Sequence, residues 1–163
     1  NDFINGYLTS NNNLYEIIRP YTKVKLFFDL EEKQTKININ WEEVASEKLQ
    51  IFIQFLKLQV KEILKIDITN NDIIILDSSD QLKISYHLII NKIIFENIET
   101  QKIFIKYLEN CIYSNNFYNN IISNFIDSGI YTKNRVFRFI NQSKLKQSRI
   151  LKNDSVKPIK IET

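Results

Sequence analysis

The sequence predicts an α+β fold, a mostly antiparallel sheet with helices packed on it. Three observations carry that prediction. Several short stretches alternate apolar and polar residues, the period of a half-buried strand. Two longer stretches repeat apolar residues at helical spacing. Read in order, the elements run ββαββα(α)β, which does not alternate strand and helix as a parallel doubly wound sheet would.

The first strand is 23–30, KVKLFFDL. Val24, Leu26 and Phe28 share one face, and Lys25, Phe27, Asp29 and Glu31 share the other. A charged turn follows, and 36–40, with Ile37 and Ile39, reads as the return strand of a hairpin. Asn40 and Glu43 have capping-box spacing and open a helix to about Lys65. Its apolar stripe is Val44, Phe52, Phe55, Leu56, Val60, Ile63 and Leu64, a core-packing pattern. Residues 72–77, DIIILD, form a short strand. Ser78, Ser79 and Asp80 make a turn, and 82–91 form the next strand. Phe104, Ile105, Leu108 and Ile112 place a helix over 98–113, and 116–126 hold a shorter apolar segment, read as helical. Gly129 punctuates before a final strand over 130–140. At the N-terminus, Leu14, Ile17 and Ile18 suggest one short helix before Pro20. The tail after Ser148 is polar, and Pro158 argues against regular structure there.

The chain of 163 residues fits one domain. It divides into a polar N-terminal segment, 1–22, a core, 23–148, and a polar tail, 149–163. Apolar content of 44% and charged content of 25% are those of an ordinary globular protein. A formal net charge of +3 allows a nucleic-acid partner without demanding one, so any basic site must come from local clustering. Asparagine is abundant alongside isoleucine, a bias expected of A- and T-rich coding, and its clusters are not read as function. Cys111 is the only cysteine, which excludes an internal disulfide and a cysteine-based zinc module and suits a reducing, intracellular compartment. No apolar run approaches the roughly 18 residues of a membrane span, and no signal-peptide pattern is visible. The absence of Met is expected of a processed chain or of a piece of a longer one, the second being the favoured reading.

Three stretches carry chemistry. Asp29 and Glu31 project from the same side of one strand, and hard divalent cations take such oxygen ligands. An exposed acidic strand end, continued by Glu32, is the alternative. Lys83, Ser85 and His87 are also spaced by two, with Ile84, Tyr86 and Leu88 on the opposite face. An amine, a hydroxyl and an imidazole in one row can all donate to phosphate oxygens. A half-buried structural imidazole is the other reading of His87. The third stretch, Asp127 to Lys144, interleaves Lys133, Arg135, Arg138 and Lys144 with Tyr131, Phe137 and Phe139. Asp127 offers a third carboxylate, or simply a turn residue. Arg135 and Arg138 bring planar forks suited to phosphate, Lys144 a point charge. A solvated edge strand is the alternative. The aromatic residues are read as packing. No Gly-x-x-x-x-Gly-Lys pattern occurs, which excludes a Walker-type ATPase.

Together these stretches resemble the catalytic core of archaeo-eukaryotic primases, in the branch that holds the primase-polymerases and the primases of large DNA viruses. FFDLE (27–31) looks like the hydrophobic-Asp-x-Glu motif. LDSSDQLKISYHLII (76–90) looks like the Ser-x-His motif with its upstream turn. DSGIYTKNRVFRFINQSKLK (127–146) looks like the third motif, the longest of the three matches. The resemblance implies an RRM-like catalytic sheet and template-directed nucleotidyl transfer with two Mg²⁺ or Mn²⁺ ions. It implies Asp29, Glu31 and Asp127 as catalytic metal ligands. Lys83, Ser85, His87, Arg135, Arg138 and Lys144 would contact the incoming nucleoside triphosphate. It further implies a single-stranded DNA template and primer as partners, with room for a helicase or zinc-binding region in a longer polypeptide. Within these residues one Cys and one His do not supply that zinc region. A non-catalytic single-strand-binding module built on the same fold is the competing expectation.

Overall fold

The structure, a computed structural model, describes residues 15–35, 40–138 and 149–153. It is a mixed α+β protein with antiparallel sheets and three α-helices among the described residues. In chain order the elements are β1 (Tyr15–Ile18), β2 (Val24–Lys33), α1 (Trp41–Leu64), β3 (Ile73–Asp77), β4 (Lys83–Phe95), α2 (Ile98–Ser114), α3 (Asn116–Ile122), β5 (Arg135–Arg138) and β6 (Lys152–Asn153). The main sheet runs β2-β4-β3-β6, and β1 pairs with β5 in a separate two-stranded ribbon. All these pairings are antiparallel.

The faces of β2 divide as the alternation predicts. Leu26, Phe28 and Leu30 are fully buried on the first face. There they meet α1, with the Phe28 and Phe52 rings edge to face at 5.2 Å. From β4 the same face receives Ile84, Tyr86, Leu88 and Ile90. Helix α1 carries Glu42 and Glu43 in its first turn and Lys61 in its last, the polarity the helix dipole favours. Its core side adds Ala45, Leu49 and Ile53 to the expected Phe52, Phe55, Leu56 and Val60. Ile63, expected in the stripe, is exposed. Helix α3 closes this layer, its Tyr118 against Phe55 at 4.9 Å.

Several expectations need correction. Residues 15–18 form a strand, not a helix, because β5 is there to pair with them. Asn40 takes the N-cap position, yet its side chain makes no cap hydrogen bond. Capping boxes are instead closed by Asn97 with Thr100 and by Thr69 with Asp72. The strand expected from residue 130 begins only at Arg135, because Ser128–Ile130 forms one 3₁₀ turn and Asn134 turns with φ 57° before β5; the end expected at 139–140 lies outside the described residues. The tail is not wholly irregular: Leu151 is fully buried and Lys152–Asn153 pairs with β3. The hairpin return strand expected at 36–40 falls largely outside the described residues.

Candidate functional site

The site is built on the second face of the main sheet. The register of β2 against β4 sets Asp29 opposite His87, Glu31 opposite Ser85 and Lys33 opposite Lys83. The two polar rows read from the sequence are therefore cross-strand neighbours. Asp29 and His87 are both buried, and His87 Nε2 lies 3.6 Å from Asp29 Oδ1. Lys83 Nζ lies 2.5 Å from Glu31 Oε1 in a largely shielded ion pair. Glu32 faces the other way and pairs with Lys48 of α1.

Ser85 is held by the turn before it. The Ser78 hydroxyl donates to Ser85 Oγ at 3.1 Å, and the Ser85 amide donates to Ser79 Oγ at 2.9 Å. Asp77 fixes that turn by accepting the Ser79 amide at 2.7 Å. Asp80 accepts the amides of Leu82 and Lys83, both at 2.9 Å, which sets the start of β4. A run of small polar residues thus anchors the row of donors.

Asp127 arrives at the outer edge of β2. Leu30 and Ile126 form an antiparallel bridge. The Asp127 amide donates to the Asp29 carbonyl at 2.9 Å, and the Glu31 amide donates to the Phe125 carbonyl at 2.8 Å. This puts the Asp127 backbone directly beside that of Asp29. The Asp127 side chain also caps the 3₁₀ turn, accepting the Gly129 amide at 3.0 Å. Gly129 does not use a positive φ. Its constraint is local: a Cβ there would stand 3.1 Å from Asp127 Oδ1.

Two groups hold the same edge that the sequence reading did not assign. Gln101 Nε2 and the Tyr131 hydroxyl each donate to the Phe27 carbonyl at 3.0 Å. Both residues are buried, so the outer edge of β2 is occupied at Phe27 as it is at Asp29 and Glu31. A signal for Gln101 was present: it lies in register with Ile98, Ile105, Leu108 and Ile112, a polar residue inside an apolar stripe. Burial, then the charges of Asp29, Glu109 and Asp127, push the Tyr131 phenol well above its ordinary pKa of 10.0. Phe137 packs over the His87 end of the row, its ring 4.3 Å from the His87 ring and 5.0 Å from that of Phe27.

Six of the nine expected site residues thus meet around β2: Asp29, Glu31, Lys83, Ser85, His87 and Asp127. Arg135 and Arg138 lie on β5, opposite Ile18 and Tyr15 of β1. Lys144 and Phe139 fall outside the described residues. The donor chemistry of three carboxylates suits Mg²⁺ or Mn²⁺. Among the described residues, however, no three acidic, histidine or cysteine side chains gather as a metal-holding group. Glu31 is turned to Lys83 and Asp127 to Gly129. No family model matches the chain, and no curated protein shows significant similarity to it.

Proposed function

We propose that the chain is the catalytic core of a DNA primase-polymerase, a nucleotidyltransferase on an RRM-like sheet. The observation that carries this reading is the register of β2 on β4. It brings the Asp-x-Glu and Lys-x-Ser-x-His rows together on one face, with Asp127 bonded beside them.

On this reading Asp29, Glu31 and Asp127 would hold the divalent cations, which neutralise phosphate charge and activate the primer hydroxyl when bound. The carboxylates are not gathered as a metal-holding group among the described residues; on binding cations Glu31 would exchange Lys83 for metal, and Asp127 could offer its second oxygen while Oδ1 keeps the Gly129 amide. Lys83 is then released to a phosphate. Ser85 donates from a position fixed by Ser78 and Ser79. His87 orients phosphate and is not a nucleophile. Arg135, Arg138 and Lys144 are assigned to the same anion by the third motif. The single-stranded template, the primer and the nucleoside triphosphate are the partners this assignment needs.

The test is primer extension by Asp29→Asn with Mn²⁺ present. Extension should fall to the background seen without protein, while the urea unfolding midpoint stays close to that of the parent chain. Extension at the parent rate sinks the reading. The ungathered carboxylates favour one second reading, a single-strand-binding module without catalysis. That module would bind single strands without metal and lose affinity steeply with salt. The enzyme would bind nucleoside triphosphate only when metal is supplied.

A further inference from the structure

The ribbon of β1 and β5 leaves a gap over the far end of the second face. It is a cleft of about 500 Å³, within the range of small-ligand sites, about 300–1,000 Å³. Phe27, Ile74 and Ile89 belong to the sheet side of the cleft, and Ile17, Ile18 and Phe137 to the ribbon side. Arg19, Lys23 and Lys25 also line it, and no carboxylate does among the described residues. The register of β2 against β4 shifts between Lys25 and Leu26, a bulge-like irregularity beside the cleft. Lys25 Nζ donates there to Asn91 Oδ1 at 2.8 Å.

The polar atoms are placed for one kind of ligand. Thr22 Oγ1 already donates to the Arg19 carbonyl, and Asn91 Oδ1 is taken by Lys25. The surrounding apolar side chains offer no hydrogen bonds with which to read a base edge. Aliphatic and aromatic walls favour an apolar body, and three cations without an acid favour an anionic head. Among the described residues Lys23 pairs with Glu96 at 3.4 Å, an exposed contact and a weak competitor for such a head.

We infer that this cleft binds a small amphipathic anion, an apolar body such as an acyl or alkyl chain ending in one carboxylate or phosphate. The site is separate from the nucleotide site proposed above and does not depend on it. The two are nonetheless adjacent, because Phe137 lines the cleft and stacks on His87. His87 is the only histidine, so its imidazole resonances give a single reporter.

The experiment titrates the full chain with decanoate, decyl phosphate and decanol, each below its aggregation threshold, and follows the His87 resonances by NMR. Saturable shifts with decanoate or decyl phosphate are expected, and the tighter of the two identifies the head group. Decanol should bind at least about tenfold more weakly, the loss expected when a charge-assisted contact is removed. Arg19→Glu, at an exposed position, should weaken the anions by a similar factor without touching the fold. Ile89→Arg should block the cleft. No saturable shift, equal binding of decanol, or unchanged affinity in Arg19→Glu overturns the inference. The Arg19→Glu arm decides the matter even if Ile89→Arg does not fold.

Discussion

At the scale of single residues, Tyr131 has the clearest thermodynamic consequence. Its ring is buried and its hydroxyl is committed to the Phe27 carbonyl. In the unfolded chain the phenol ionises near its ordinary value of 10.0; in the fold it resists ionisation well beyond that. A folded pKa raised above the unfolded one means full stability below the unfolded value and loss as pH rises toward the folded one. Urea midpoints should therefore fall above about pH 10. Tyr131→Phe should remove up to ~1.4 kcal/mol per pH unit of that slope, and at neutral pH it should cost about 1 kcal/mol for the lost hydrogen bond. An alkaline slope identical in both proteins would show that Tyr131 is not shielded as described. Asp72 works at the opposite end. The Thr69 amide and hydroxyl hold its carboxyl below the usual range, so its contribution is present above its ordinary pKa and fades as pH falls through the lowered one.

At the scale of elements, the end of the chain contributes more than its polarity suggests. Leu151 is fully buried where β6 joins β3. Leu151→Ala should cost about 2–5 kcal/mol, the range for emptying a buried leucine site. Ile103→Ala, on an exposed face of α2, should stay within about 0.5 kcal/mol. Equal urea midpoints for the two variants would place the tail outside the cooperative unit. This contrast also marks what could be read from sequence. The strands β2 and β4 and the helices α1 and α2 were legible because each has a strong period of its own, and β3 because its short apolar run is bounded by Asp72 and by the turn after Asp77. The Asp29, Glu31 and Lys83–His87 rows were legible for the same reason, since a strand's period fixes which residues share a face. The strand β1 was not, because four residues show no period and their pairing with β5 joins residues far apart in the chain. Leu151 was hidden because Ile150 and Leu151 are an isolated apolar pair in a polar tail, too short to show a period. The cross-strand match of Asp29 with His87 required a register, and register is set by the whole sheet. Tyr131 was read mostly as packing, and its hydrogen bond to the β2 edge depends on the path of 125–131 around that edge.

At the scale of the molecule, two bodies of unequal stability share the second face. The main sheet is backed by α1 and a continuous core of buried side chains. The ribbon has four register pairs, and an isolated two-stranded unit of that size is marginal on its own. Ile17 and Val136 are exposed on it, while Phe137 anchors it to Phe27 and His87. The ribbon should therefore open locally, at a lower free energy than global unfolding. In native-state hydrogen exchange, β1 and β5 amides should exchange by this route, and the amides of β4 only near the global limit. Phe137→Ala should speed exchange in β1 and β5 while leaving α1 and β4 unchanged. Ribbon amides protected to the global limit would rule out a separate opening. The consequence reaches function, because Phe137 packs on His87, the cross-strand neighbour of Asp29. A local opening that uncovers them leaves the Gln101 and Tyr131 clamp on β2 intact. The polar row then becomes accessible without any loss of the register that aligns it.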